Sequence, residues 1–198
     1  ATALLSSLRG DCHTHSDWSD GGSSPMEMAA TCVRLGHEWT VLTDHSPRLT
    51  VARGLSRERL LEQLDVVARI NDELAPFRYL TGIEVDINED GSLDQDDDLL
   101  ARRDVVVASV HSKLRMPQEA MTRRMVVAIA NPHVDILGHC TGRMVAGGKV
   151  RPESEFDVDM VIEACRMFDV ALEVNSRPER LDPPRRILAQ AVDAALHL

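Results

Sequence analysis

Short β-branched apolar runs alternate with helix-spaced apolar residues along almost the whole chain, and this alternation limits the folds open to it. The stretch "CHTH" (12–15) ends a first strand. Ser24-Pro25-Met26-Glu27 then combines an N-cap, a proline at the first helical position and a glutamate three residues after the cap, opening a helix that runs to about Gly36. "WTVLTDH" (39–45) reads as a buried strand. Leu60, Leu61, Leu64, Val67, Ile70 and Leu74 recur at helical spacing after Ser56, and Pro76 closes that helix. "YLTGIEVDI" (79–87) and "DVVVASVHS" (104–112) are two further strands, separated by the solvated acidic loop "NEDGSLDQDDD", whose spacing does not fit a calcium loop. A helix over 117–130 stops at Asn131-Pro132, followed by strand 134–139, helix 156–168, strand 170–176 and a last helix opening at Pro183-Pro184. Six strands alternating with helices define an α/β chain with parallel strands and helices outside, a barrel or an open sheet. Neither usual glycine-rich phosphate loop is present to support the open sheet.

The polar residues are placed unevenly on this frame. His13 and His15, Asp44 and His45, Glu84 and Asp86, His111, and His139 fall at or near the C-terminal ends of five strands, with Asn175 on a sixth. In parallel α/β folds that rim is where active sites are built. His13 and His15 lie two apart, so a strand presents both on one face. His37 and His133 precede their strands and read as structural, and His197, next to last, as frayed. Cys140 follows His139 and is expected to face away from it.

Four or five histidines with Asp and Glu make a nitrogen- and oxygen-rich donor set suited to Zn²⁺, Mn²⁺ or Fe²⁺. The surplus of ligands calls for two or three divalent ions, with Glu84 as a bridge. Clusters of this kind activate a water as nucleophile and stabilise in-line displacement at phosphorus. Arg143 and Arg177 follow the fifth and sixth strands and are the expected substrate-phosphate clamp.

The totals fit this reading. At 198 residues the chain has the length of one domain, and 43% hydrophobic residues can fill its core. A formal charge of −10 and only 3% aromatic residues disfavour a nucleic-acid partner. No run reaches the length of a membrane span, and four scattered cysteines without a CxxC pair favour a reducing cytoplasm.

These motifs resemble the PHP (polymerase and histidinol phosphatase) superfamily. "DCHTHSDWSDG", "LTDHS", "TGIEVDI", "ASVHS" and "DILGHCTGR" are similar to its ordered motifs, and "LEVNSRPERLDPP" is especially like the PHP domain of bacterial family X DNA polymerases. The resemblance covers residues 1–198 as one metal-dependent phosphoesterase domain. It implies a distorted seven-stranded β/α barrel, with His13, His15, Glu84, His111 and His139 around a dinuclear core. It also implies that Asp20, standing where some members carry a histidine, works with His45 at a third metal. The family's last strand ends in an Asp-x-His pair. Only six strands are evident here and "LHL" holds no such pair, so a fragment of a longer chain is expected.

Three functions follow as expectations. The first is hydrolysis of a small phosphomonoester, as in histidinol phosphatase, favoured by the acidic body. The second is a 3′–5′ exonuclease or DNA-end-processing domain, meeting DNA through other parts of a longer chain. The third is a degenerate, non-catalytic module.

Overall fold

A computed structural model describes residues 7–148 and 150–198. They form two compact units, one of the residues up to Glu84 with Gln95–Val106, the other of Val85–Asp94 with Val107–Leu198.

In the first unit, the Ser24 signal forms the start it spells out. Helix α1 (Pro25–Arg34) begins with Ser24 extended, and the Ser24 hydroxyl and the Glu27 carboxylate accept each other's backbone N–H. Helix α2 (Arg57–Leu74) is capped by the Ser56 hydroxyl. Strands β1 (Trp39–Leu42) and β2 (Arg78–Asp86) pair in parallel, Trp39 opposite Arg78 and Leu42 opposite Thr81. The two helices cover this pair over a core of Ala29, Cys32, Leu42, Val67, Ile70, Phe77 and Tyr79. β1 and β2 approach closely at Gly82, where a Cβ would stand 2.6 Å from Val41 Cγ1.

The expected first strand is reduced to one parallel bridge, Thr14 to Leu42. Two threonines cause this. Thr14 N–H donates to the Thr43 hydroxyl at 3.0 Å, and the Thr14 hydroxyl donates to Val41 O at 2.6 Å. Side-chain oxygens thus take bonds a regular ladder would give to backbone. A second difference lies in the acidic loop, whose end winds into a short helix α3 (Asp97–Leu100) because Leu99 and Leu100 are buried.

In the second unit, β3 (Val105–Ser109, counted here from Val107), β4 (Ile136–Leu137) and β5 (Ala171–Leu172) pair in parallel, with Val107 opposite Ile136 and Ile136 opposite Ala171. Helix α5 (Val158–Phe168) packs against α4 (Gln118–Ile129), α6 (Arg185–Asp193) and β5. The last two strands are shorter than expected: beyond β5 Asn175 N–H donates to Asp182 O of the following turn, and beyond β4 polar side chains take over the backbone donors. His139 N–H donates to the Glu173 carboxylate, and Thr141 N–H to Asp182 Oδ1. His197 is better held than expected, since its carbonyl accepts from Leu172 N–H at 2.9 Å. Among the described residues no helix is long and apolar enough to cross a membrane.

Candidate metal centre

The hydrogen bonds of Thr14 place its neighbours His13 and His15 beside the end of β1. Next to them, a parallel bridge joins His45 to Glu84 at the end of β2, with Ser46 N–H donating to Glu84 O at 3.0 Å. Three imidazoles therefore meet one buried carboxylate. Glu84 Oε2 lies 3.3 Å from His13 Nε2, 3.4 Å from His15 Nε2 and 2.9 Å from His45 Nδ1. The Nε2 atoms of His13 and His15 stand 3.1 Å apart, and the rings of His15 and His45 stack with centroids at 4.4 Å. Asp20 Oδ1 completes the far side, 3.7 Å from His15 Nδ1 and 3.5 Å from His45 Nε2.

This donor set fits a cation. Two Nε2 atoms facing each other can share at most one hydrogen between them, and both also face a carboxylate oxygen. Burial, partly opposed by the Glu84 carboxylate and reinforced by His13 and His45, pushes the His15 imidazole down to about 3. His15 is then neutral near pH 7, with a lone pair to give. Two triads of converging atoms result, His13–His15–Glu84 and His15–Asp20–His45, each able to hold a metal ion. Both are nitrogen and oxygen sets of the kind Zn²⁺ or Mn²⁺ accepts.

Asp44 is absent from the ligand set expected from the sequence, yet it organises the loop that carries Asp20. It is fully buried and accepts four hydrogen bonds, from Ser16 N–H (2.8 Å), Ser16 Oγ (2.6 Å), Ser19 Oγ (2.5 Å) and Gln63 Nε2 (2.8 Å). Burial raises its carboxyl above the ordinary range, against those bonds. From outside, Arg53 donates to Asp17 O and Ser19 O, and Arg59 to Trp18 O. The signal available in the sequence was the place of Asp44 beside His45 at a strand end.

The second unit holds the remaining residues. His111 N–H donates to Asp86 Oδ1 at 3.2 Å, its Nδ1 lies 3.4 Å from the same oxygen, and its ring meets that of His139 edge-on at 5.2 Å. Glu173, which accepts from His139 N–H, also accepts from Asn175 Nδ2 at 3.1 Å, and Asn175 Oδ1 accepts from Arg177 N–H. Cys140 is buried with its thiol 3.8 Å from Asp182 Oδ1.

The two expected clamp arginines differ. The Arg143 guanidinium is engaged, donating to Arg180 O, Leu181 O and Glu153 Oε1. The Arg177 side chain is 68% exposed, with Glu179 at 4.0 Å. His37 and His133 belong to neither triad, and their backbone N–H groups donate to Cys32 O and to Asn131 Oδ1.

Fold and site together define an α/β protein with imidazoles and carboxylates gathered at the ends of parallel strands. The PHP domain family model matches residues 11–177, and the chain belongs to that family. It is 45% identical over 178 residues to the DNA polymerase/3′-5′ exonuclease PolX of Bacillus subtilis, covering 90% of this chain and 31% of that protein. It is 29% identical to the probable phosphatase TTE1963 of Caldanaerobacter subterraneus, over 84% of this chain and 61% of that protein. The chain thus spans about a third of the first relative and three fifths of the second. Among solved structures, the histidinol phosphate phosphatase of Lactococcus lactis, complexed with zinc, L-histidinol and phosphate, shares the fold with a TM-score of 0.58 at 18% identity, covering 87% of this chain and 75% of that one.

Proposed function

We propose that this chain is a metal-dependent phosphoesterase domain acting on a small phosphomonoester. The observation that carries the reading is the convergence of His13 Nε2, His15 Nε2 and His45 Nδ1 on one carboxylate oxygen of Glu84. In the first unit, His13, His15 and Glu84 would hold one divalent ion, and Asp20 and His45 would hold another with His15. His111 and His139 of the second unit are assigned as ligands as well. Ions bound there would supply Lewis acidity and lower the pKa of a water at neutral pH.

The chain's own residues do the rest. Neutral His15 gives its lone pair without first losing a proton. Buried Glu84 would offset the charge of a bound ion, and its burial would strengthen that attraction. Exposed Arg177 would meet the phosphate, while Arg143 fixes the turn through its bonds to the carbonyls of Arg180 and Leu181. The −10 charge of the chain favours a small substrate over a long polyanion.

A second reading, 3′–5′ exonuclease activity on DNA, is favoured by one observation: the 45% identity to the polymerase/exonuclease. One experiment addresses both. Protein loaded with Mn²⁺ or Zn²⁺ is given p-nitrophenyl phosphate and, separately, a 3′-labelled oligonucleotide. Phosphate release that Glu84→Gln abolishes supports the first reading, and mononucleotide release the second. Turnover of neither by the metal-loaded protein overturns both and leaves the non-catalytic module.

A further inference from the structure

Away from the histidines, the second unit carries a cleft of ≈ 780 Å³ whose wall includes Arg151, Ser154 and Phe156. It lies beside a hairpin in which Met144 and Arg151 exchange backbone hydrogen bonds at 2.9 Å, while Val145 N–H donates to Glu179 O at 2.6 Å. This arrangement brings Arg151 alongside the 179–182 turn. Arg143, Arg151 and Arg186 line the cleft together with Glu153 and Glu155, and the three arginines are unevenly neutralised. Arg143 and Arg186 share the Glu153 carboxylate, which they hold below its ordinary range although burial opposes them.

Among the described residues neither Arg151 nor Arg180 forms a carboxylate ion pair, although the charge of Asp182 acts on Arg151 from nearby. Arg151 Nε donates only to a carbonyl, Gly142 O. Burial first, and then the charge of Arg180, lowers the Arg151 guanidinium below its usual range. The nearby Asp182 carboxylate is occupied by Thr141 N–H, the Thr141 hydroxyl and the Cys140 thiol. Among the described residues, the buried Nη1 of Arg180 has no hydrogen-bond partner. Neither has the hydroxyl of Ser154, a residue only 7% exposed. A cleft-lining guanidinium without an ion pair, a second positive charge behind it and an orphaned buried hydroxyl are complementary to a tetrahedral oxyanion.

We propose that this cleft is a phosphate-binding site, with Arg151 and the Ser154 hydroxyl as its donors and the charge of Arg180 behind them. Its volume exceeds that of a bare phosphate, leaving room for an attached group against Phe156 and Ile187. The shared chemistry is a phosphate oxyanion, free or within a nucleic-acid backbone. The proposal does not rest on the metal reading, so it is tested with metal removed.

In EDTA at low salt, the intact chain is titrated with inorganic phosphate by calorimetry and with a fluorescein-labelled oligothymidylate by anisotropy. Arg151→Gln should weaken binding about tenfold, the scale of one charge-assisted bond, and Arg180→Gln by less, whereas Arg166→Gln, the same charge change on α5, should leave it unaltered. Ser154→Ala should weaken binding without lowering Tm, because its hydroxyl has no protein partner to lose. In the unmutated chain, phosphate should protect Arg151 from phenylglyoxal, as mapped by mass spectrometry. Binding of phosphate alone identifies a small-molecule site, and tighter binding of the oligonucleotide identifies a strand site; either supports the proposal. Absence of both protection and binding overturns it, as does equal binding by the Arg151 and Arg166 variants.

Discussion

Asp44 has four donors on it and acts as a strut for the Asp20 loop. Replacing it by asparagine puts an NH₂ against a donor where an oxygen accepted two bonds. Leaving buried donors unsatisfied costs about 1–3 kcal/mol. Asp44→Asn should therefore lower Tm and loosen the loop that carries Asp20, cutting metal uptake at the Asp20-containing triad more than at the other. Elemental analysis alongside calorimetry checks this; unchanged stoichiometry would reduce Asp44 to a fold residue. A second contrast separates the two arginines. Arg143 donates to Arg180 O, Leu181 O and Glu153, so Arg143→Ala should lower both Tm and kcat/KM. Arg177 is exposed, so Arg177→Ala should leave Tm unchanged while costing about 2–4 kcal/mol in kcat/KM if it meets the developing charge. Thermal melts and steady-state kinetics decide, and an Arg177 variant as active as Arg166→Ala removes the clamp.

At the scale of elements, the segment from Thr14 to α1 contains two glycine- and serine-based devices with different consequences. A Cβ on Gly21 would stand 2.4 Å from His15 O and 2.7 Å from Ser16 C, both backbone atoms that cannot yield cheaply. Gly21→Ala should displace the loop and lose metal. Ser24→Ala breaks only the capping box and should cost about 1 kcal/mol with metal content intact. Comparing metal content with denaturation midpoints for the two variants checks the distinction. The same segment shows what the sequence made legible. The Ser24 cap, the Ser56 cap and the order of strands and helices were readable because caps and periodicity are local. The grouping of His13, His15, His45 and Glu84 was readable because parallel strands deliver their last side chains to one end. The first strand was overestimated because Thr14 and Thr43 hydroxyls compete with the ladder, a contact 29 residues apart that no local pattern encodes. The strands at 134–139 and 170–176 were overextended because the Glu173 and Asp182 carboxylates capture the backbone beyond β4 and Asp182 O takes Asn175 N–H beyond β5. The engagement of Arg143 was hidden for the same reason, since its acceptors lie 37 and 38 residues away.

For the molecule as a whole, the cluster joins stability to metal. The native first unit gathers three imidazoles and two carboxylates, and an unfolded chain scatters them, so an ion binds the folded form preferentially. Such linkage stabilises by about 2.7 kcal/mol when free metal is a hundredfold above Kd. For a chain of this length that corresponds to a rise in Tm of about 5–10 °C. Protein stripped with EDTA should melt lower, recover on adding Zn²⁺ or Mn²⁺, and take up more than one equivalent per chain. His13→Ala and His15→Ala should remove most of the shift, because each deletes a nitrogen facing Glu84 Oε2. His37→Ala and His133→Ala should keep it. Scanning calorimetry at several metal concentrations, with elemental analysis, reads both quantities at once. A Tm that does not respond to metal, or a shift that survives His13→Ala but not His37→Ala, would move the ions away from the strand ends.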